Sequence, residues 1–293
     1  MKYIIDKNSN NLSIKSYLIS NLNLSSRLIR HLKKHYDGIL LNGAHADVNT
    51  VLKENDVLEL DFSDRADDVN EHLVKTDIPL EILYEDENFT VVNKPAMMPT
   101  HQSLNHYEDT LANALAYRYA DRPYVFRAVN RLDKNTSGIV LTANNKLYAE
   151  ILASKLKENK FTKEYIAIVE GRLEGSGIIE APIARKGESI IEREIREDGE
   201  YALTKYEVMY SCDEISVIRV YPVTGRTHQI RVHMSHIGHS LLGDTMYGSA
   251  SSRISRHALH AHRLDIEGIG SFVAPIPMDM LKIIRSYFNE TNL

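Results

Sequence analysis

Asp133 lies in a short polar stretch between two apolar ones, a pattern typical of a tight turn between buried strands. Apolar residues 128–129 precede the turn and 139–141 follow it. The cations Arg131 and Lys134 flank the carboxylate, and nearby positive charge favours the ionised form of an aspartate. We therefore interpret Asp133 as a catalytic nucleophile, with the capping of a turn as the alternative role.

Three further stretches of the sequence concentrate polar side chains: 93–101, 163–165 and 225–233. The last begins with a glycine turn, and the apolar residues that follow recur at helical spacing. This pattern places Arg226 near the start of a helix, where the helix dipole and the free N–H groups favour an anion. A phosphate or carboxylate is therefore expected beside Arg226.

The composition is that of an ordinary globular protein. The chain has 293 residues, enough for two domains, of which 43% are hydrophobic and 26% charged. Its single cysteine, Cys212, excludes an intrachain disulfide framework and indicates a reducing compartment. The chain's start lacks the apolar core of a signal peptide, and no run reaches the length of a membrane span. We therefore expect a soluble, cytoplasmic protein without a membrane partner.

Charge is distributed unevenly along the chain. The net charge of −5 argues against a uniformly basic nucleic-acid binder. Residues 16–36 nevertheless contain no acid. The strongly basic residues of that stretch are Arg27, Arg30, Lys33 and Lys34. Between 226 and 263 the only acid is Asp244, against five arginines and seven histidines. Two local basic patches could therefore bind a polyanion.

The first basic stretch is predicted to form an amphipathic helix over 24–36. At about 100° per residue, Leu28, Ile29, Leu32 and Tyr36 share one face, and five basic side chains, His31 included, cover the other. Cations without an acid repel one another unless an anion relieves them. We therefore interpret the basic face as a binding surface, with a merely solvated helix face as the alternative.

The remaining pattern predicts an α+β fold, because strand-like and helical segments mix without a regular βαβ repeat. Asn42-Gly43 is a hairpin signal. Residues 57–62 alternate apolar and polar side chains, as a half-buried strand does. Residues 63–77 are acid-rich and lack periodicity, which indicates a linker.

Residues 25–30, 38–43 and 55–58 carry a short basic-helix and hairpin motif. This motif resembles the alpha-L RNA-binding domain, which occurs in a ribosomal small-subunit protein and in several RNA-modifying enzymes. The resemblance implies an RNA-binding domain at 1–62, joined by the linker at 63–77 to a second, catalytic domain at 78–293.

The polar stretches of the second domain form four ordered motifs. They are Asn-Lys-Pro from Asn93, Arg-Leu-Asp-Lys-Asn-Thr-Ser-Gly from Arg131, Lys-Glu-Tyr from Lys163, and the run from Gly225 to His239, with 243–244 and 259–264. Over 82–284 they resemble the RluA family of pseudouridine synthases, known for modifying uridines in large-subunit ribosomal RNA. The resemblance implies a mixed, mainly antiparallel sheet flanked by helices.

The resemblance also implies a cofactor-free isomerisation, in which the glycosidic bond of uridine breaks and the base rejoins ribose through carbon 5. Asp133 takes the place of the family's catalytic aspartate, which could attack the anomeric carbon or assist sugar deprotonation. Arg226 matches the arginine that pairs with this aspartate. Tyr165 matches the tyrosine that stacks on the detached base and could act as the base at carbon 5; its alternative is an ordinary core residue.

Substrate contacts carry over in the same way. Arg131 is expected to point outward and fill the gap left by the flipped uridine, with an ion pair to Asp133 as its alternative. Asn130 stands where the family usually has histidine and keeps a side chain able to cap the loop. Lys163 and His228 complete the predicted substrate contacts of this domain, and Arg27, Arg30, Lys33 and Lys34 supply those of the first.

We expect no cofactor and no metal, because the histidine-rich run has no cysteine nearby and lacks the His-Glu-x-x-His pattern of zinc hydrolases. Its histidines are assigned to RNA backbone contacts and core hydrogen bonds. The predicted partner is ribosomal RNA, with transfer RNA as the alternative, and the protein is expected to be monomeric. Two rival functions remain, a non-catalytic RNA-binding or ribosome-assembly protein and a metal-dependent hydrolase.

Overall fold

The computed structural model describes residues 1–187, 189 and 191–288. The predicted catalytic domain was extended to residue 293, so its last five residues lie outside the described part. Among the described residues, no helix combines the length and the apolar character needed to cross a membrane.

The N-terminal unit is a four-stranded antiparallel sheet covered by two helices. Its strands are β1 (Lys2–Ile4), β2 (Ile39–Leu41), β3 (Ala44–His45) and β4 (Val57–Leu60), in the order β1-β4-β2-β3. Its helices are α1 (Ile14–Ser20) and α2 (Ser26–Lys34). The predicted hairpin joins β2 to β3 through Asn42 and Gly43, whose φ angles of 54° and 82° are those that a two-residue hairpin turn requires.

Helix α2 is shorter than predicted, although its apolar face is correct. Ser25 caps it, with its Oγ accepting from the Leu28 N–H at 3.1 Å. The chain turns extended at His35, so Tyr36 lies outside the helix and is exposed, stacked on His45 with 4.6 Å between ring centroids. The prediction that Tyr36 shares the buried face was therefore wrong.

The larger unit is built on one nine-stranded mixed sheet. Its strands are β5 (Glu81–Glu85), β6 (Phe89–Lys94), β7 (Ser137–Ala143), β8 (Phe161–Glu170), β9 (Ser176–Glu180), β12 (Leu203–Ser211), β13 (Ile215–Pro222), β14 (Leu259–Ile266) and β15 (Gly270–Val273). The order is β5-β6-β7-β14-β8-β13-β12-β9, with β15 paired to β14. Only β7 and β14 run parallel among these described pairs. A separate hairpin comprises β10 (Ile183–Arg185) and β11 (Arg193–Ile195). The predicted α+β class and mainly antiparallel sheet are confirmed.

Helices cover both faces of this sheet. They are α3 (Leu111–Arg118), α4 (Lys146–Lys157), α5 (Gln229–His236) and α6 (Met278–Phe288). Val92 and Val140 pack with α3, whereas Val91, Ile139 and other alternate residues pack with α4. In the same way, α5 and α6 pack on opposite faces of β8 and β13. Every residue of β7 is buried, as expected for a strand covered on both faces.

Helix α4 also contacts the N-terminal unit. Its residue Leu147 belongs to the apolar core of that unit, and Ile151 packs against it. On the same helix Glu150 accepts a hydrogen bond of 2.6 Å from the Ser25 hydroxyl. One face of α4 therefore meets the large sheet and another meets the N-terminal unit.

The connecting segment 63–77 is anchored along its length. Asp64 is buried and forms a two-pronged ion pair with Arg127, with N–O distances of 2.5 and 2.9 Å. Asp68 pairs with Lys146, and Asp67 pairs with Lys34. The acid-rich composition that suggested a linker supplies these ion pairs, which tie residues 64–68 to both units.

Candidate active site

The Asp133 loop is fixed at its entrance by hydrogen bonds to its own backbone. Asn130 Nδ2 donates to the Ile139 carbonyl at 3.0 Å, and its Oδ1 accepts from the Leu141 N–H at 2.8 Å. Thr100 Oγ1 donates to the Leu132 carbonyl at 3.0 Å. The Asn130 amide is thus engaged by the protein and caps the loop, and its predicted contact with the substrate stays a prediction.

Lys94 holds the other side of the loop. Its side chain is fully buried, and Nζ donates to the carbonyls of Pro95, Met98 and Lys134 at 2.8, 2.8 and 3.3 Å. Burial, reinforced by a nearby arginine, lowers the pKa of Lys94 to about 7. Three carbonyl acceptors match the three donors of an ammonium group, which ties the residue next to Asp133 to the end of β6.

Two buried histidines fasten the loop to the residues leading into β14 and to β14 itself. His257 Nε2 lies 2.8 Å from Thr136 Oγ1, and His260 Nδ1 lies 2.9 Å from Ser137 Oγ. Burial, and then the positive charge of Arg231, lower the pKa of His257 to about 4. Burial also lowers the pKa of His260 to about 4. Both rings are therefore neutral at physiological pH.

Gly138 allows β7 to approach β14 closely, beside Tyr165 on β8. Gly138, Ala261 and Tyr165 lie in register on β7, β14 and β8. A Cβ at position 138 would stand 2.2 Å from the Ala261 carbonyl oxygen, and its φ of +111° favours glycine. Tyr165 projects on the face that carries α3 and α5, where it packs with Leu132 and Ala261. Burial, and secondarily the charge of Asp133, raise the pKa of Tyr165.

The cation beside Asp133 is Arg231. Its Nη1 lies 3.3 Å from Asp133 Oδ2, while Nε and Nη2 donate to Asp244 at 2.7 and 2.8 Å. Burial raises the pKa of Asp244, but the hydrogen bonds and charge of Arg231 outweigh it and leave that pKa below its usual value. The guanidinium also stacks over Tyr247, 5.0 Å from the ring centroid. Arg231 is thus locked in one orientation.

The predicted pairing of Arg226 with Asp133 is wrong. Helix α5 begins only at Gln229, so Arg226 stands in the preceding turn, where its Nε donates to the Tyr201 carbonyl at 2.9 Å and its Nη1 pairs with Glu200. Arg231, inside the helix, faces Asp133 instead. A signal was present in the sequence, because Asp244 is the single acid among the five arginines of 226–263.

His228 completes the carboxylate's surroundings. It caps α5 in the left-handed conformation, at φ 57°, which is costly for a residue other than glycine. Its Nε2 lies 3.8 Å from Asp133 Oδ2, and its Nδ1 lies 2.8 Å from the Tyr247 hydroxyl. Burial lowers the pKa of His228, although the charge of Asp133 opposes the shift. Of the predicted substrate contacts, His228 is the one placed beside the aspartate.

Arg131 and Lys163 are two further predicted substrate contacts of this domain. Arg131 is exposed, in keeping with its predicted outward direction, and in the described part of the chain it forms no ion pair with Asp133. The Nζ of Lys163 lies near Gly225, 4.0 Å from where a Cβ would stand, and burial lowers the pKa of Lys163. Arg131 is thus two residues from Asp133 in the chain, and Lys163 is two residues from Tyr165 on β8.

The basic face of α2 is exposed but not uniform. Arg27, Arg30 and Lys33 are exposed. Lys34 is exposed as well but pairs with Asp67. His31, predicted on the same face, turns toward the larger unit and lies 3.1 Å from Lys146 Nζ. Although residues 16–36 contain no acid, one of their lysines therefore pairs with a carboxylate of the connecting segment.

Within the described ranges, no three His, Cys, Asp or Glu side chains are arranged to hold a metal ion. Six of the seven histidines of the 226–263 stretch bond to protein groups instead. His233 lies 2.9 Å from both Thr204 Oγ1 and the Ala181 carbonyl. His239 and His262 lie 2.9 and 2.8 Å from the carbonyls of Glu170 and Ala274.

This chain is similar to known proteins over much of its length. Residues 88–236 match the model of the RNA pseudouridylate synthase family. The uncharacterized RNA pseudouridine synthase YjbO of Bacillus subtilis strain 168 is 38% identical over 94% of this chain and 99% of its own length. Ribosomal large subunit pseudouridine synthase D of Zymomonas mobilis is 39% identical, covering 73% of this chain and 74% of that protein.

A solved structure is similar as well. Human RNA Pseudouridylate Synthase Domain Containing 1 superposes with a TM-score of 0.57 at 32% identity, covering 67% of this chain and 83% of that one.

Proposed function

We propose that this chain, which belongs to the RNA pseudouridylate synthase family, isomerises specific uridines in large-subunit ribosomal RNA. The observation that carries the proposal is the convergence of Arg231 and Tyr165 on the Asp133 loop. The ribosomal assignment is supported by relatives named as large-subunit enzymes. Transfer RNA is the alternative substrate. We further propose that the protein works in the cytoplasm as a monomer.

In the proposed reaction Asp133 is the nucleophile. Arg231 and His228 both approach Oδ2, which leaves Oδ1 as the oxygen to meet the ribose. Attack of Oδ1 on the anomeric carbon breaks the glycosidic bond, and the uracil leaves with the electron pair on N1. After rotation, carbon 5 attacks the same carbon and displaces the carboxylate. The proton then leaves carbon 5 and N1 is protonated, so the reaction needs no cofactor.

The other residues position the substrate. The raised pKa of Tyr165 keeps its phenol neutral in the resting site, so its ring can stack on the detached uracil without a change of charge. Arg131 is exposed on the Asp133 loop, where a flat guanidinium can occupy the space of an extruded uridine. Lys163 and His228 complete the proposed substrate contacts. Arg226, held by Glu200, is left out of the catalytic group.

We propose that the N-terminal unit is an RNA-binding domain of the alpha-L type. Its basic helix exposes Arg27, Arg30 and Lys33, which suits contact with phosphates. The domains are placed at 1–62 and 78–293, with 63–77 between them.

The test is to incubate wild type and Asp133→Asn with RNA from cells lacking the gene and to map pseudouridine at each site. The variant should lose at least about 1000-fold in rate, as removal of a nucleophile does, with an unchanged unfolding temperature. The matched control is Asp213→Asn, because Asp213 is highly exposed. Equal modification by wild type and Asp133→Asn would refute the catalytic role of Asp133. Wild type that modifies no RNA would favour a non-catalytic RNA-binding protein. New sites confined to transfer RNA would refute the ribosomal assignment.

A further inference from the structure

A turn beside the Asp133 loop carries a highly exposed apolar side chain. The segment 97–107 carries three exposed large apolar residues, Met97, Leu104 and Tyr107. Leu104 is 79% exposed, the highest value among the large hydrophobic residues described. Exposure of this size on an isolated surface residue is unremarkable, so the position and rigidity of the turn decide its meaning.

The turn is rigid. Ser103 and His106 exchange both backbone hydrogen bonds, at 3.1 and 2.9 Å. This leaves Leu104 and Asn105 at the tip, and the φ of +67° falls on Asn105, a residue that tolerates it. The following carbonyl, that of Tyr107, accepts hydrogen bonds from two side-chain amides at 2.7 and 2.9 Å. Leu104 is thus presented on a fixed support.

The turn is also fastened to the catalytic loop. Lys134 Nζ lies 3.2 Å from His106 Nε2, and His106 Nδ1 lies 2.6 Å from an Asp109 carboxylate oxygen. Because an ammonium only donates, Nε2 accepts and Nδ1 carries the proton donated to Asp109. Lys134 directly follows Asp133. The tip of the turn therefore keeps a fixed relation to the nucleophile.

The surroundings are suited to nucleic acid. Arg131 is exposed close to His101, whose pKa is lowered by burial and then by the charge of Arg131. Lys134 is exposed on the same loop. An apolar tip near cations fits a base step, since the cations can meet phosphates and the tip can meet base faces.

We infer that Leu104 is a wedge that packs against bases next to the target uridine and helps to hold it out of the stack. The inference rests on the proposed function, because it requires an RNA substrate. It assigns a second residue beside the Asp133 loop to base extrusion, in addition to the proposed role of Arg131.

The test compares wild type with Leu104→Ala and Leu104→Met on RNA from cells lacking the gene, with initial rates measured at each mapped pseudouridine. Leu104→Ala should lower kcat/KM by about tenfold, because the truncation removes most of the apolar surface that would pack on the bases. Leu104→Met keeps an apolar side chain of similar volume and should retain most of the rate. Unfolding temperatures should stay equal, because Leu104 is exposed.

The matched control is Ile178→Ala, an exposed apolar residue on β9 at the opposite edge of the sheet. Equal rates for Leu104→Ala and Ile178→Ala would overturn the wedge while leaving the proposed function intact. A lowered unfolding temperature that parallels the lost rate would overturn it in favour of a structural role. A wild-type protein that modifies no RNA would overturn the proposed function and the wedge together.

Discussion

Arg231 in α5 and Arg30 in α2 are both helical arginines on surfaces proposed to serve RNA, yet their surroundings differ. Arg231 is buried, bonds to Asp244 through two nitrogens and reaches Asp133. Arg30 is exposed and donates to the Ser26 carbonyl of its own helix at 3.3 Å. Buried charges depend on their exact partners, whereas exposed charges act at longer range and are screened by salt. The Asp133 site should therefore respond to single substitutions and to pH, and α2 to salt.

The largest effect should come from substitutions at Arg231, the buried arginine of the two. Arg231→Ala leaves Asp244 buried without its partner, which should lower the free energy of unfolding by about 3–5 kcal/mol. Arg231→Lys keeps a charge but loses the two-pronged geometry, and should lower kcat by about 100-fold, as loss of a positioned donor does. Urea unfolding and pseudouridine formation measure the two effects.

Arg226→Lys is the matched control for this prediction, because Arg226 lies five residues away in the same motif but is exposed. Its effect on unfolding should stay within about 0.5 kcal/mol. If Arg226→Lys lost activity and Arg231→Lys did not, the assignment of Arg231 as the partner of Asp133 would be incorrect.

A pH titration should produce the next largest effect. The folded pKa of His257 is about 4, against an ordinary value of 6.5. Since the unfolded chain takes up the proton first as pH falls, this residue's contribution is full above about pH 6.5 and is lost progressively down to about pH 4. The loss should reach about 3 kcal/mol for a shift of this size. Urea unfolding between about pH 7 and pH 4 measures it.

His257→Gln provides the comparison for the pH experiment. The variant can still bond to Thr136 but does not titrate, so its unfolding free energy should fall less steeply with pH. His260, with the same shift, should continue to contribute. An identical pH dependence in the variant and the wild type would show that His257 is not the titrating group.

Salt concentration should produce the smallest effect, and only on RNA binding by the exposed basic residues of α2. Replacing Arg27, Arg30 and Lys33 by Gln should reduce the salt slope of binding to large-subunit ribosomal RNA by about 0.7–1 per lost phosphate contact. Lys34→Gln should change the slope less, because Asp67 already neutralises that lysine. Filter binding at several salt concentrations measures the slopes. An unchanged slope in the triple variant would remove α2 from the contact surface.

Local pattern was sufficient to predict the parts of the fold that depend on neighbours in sequence. The turn at Asp133, the hairpin at Asn42-Gly43 and the buried face of α2 all follow from residue types within a few positions. The end of α2 was misplaced because helical spacing alone gives no signal for the extended conformation of His35. That one residue moved Tyr36 from the predicted core to the surface.

The candidate site was harder to predict, because its partners are distant in sequence. Arg231 and Asp133 are 98 residues apart, and His257 and Thr136 are 121 apart. A motif match assigned the first arginine of its run, but the helix start at Gln229 directs a later one to the carboxylate. The lone acid Asp244 indicated that some arginine would be buried, but did not identify which.

The position of α4 has a consequence for how RNA is held. This helix lies on the face of the sheet opposite Tyr165, between the sheet and the N-terminal unit. An RNA that occupies both the Asp133 site and α2 must therefore pass around an edge of the sheet. Because α4 connects the two units, RNA bound at α2 is at a raised effective concentration near Asp133 only if it is long enough to span both surfaces. Short fragments reach one surface and gain no avidity.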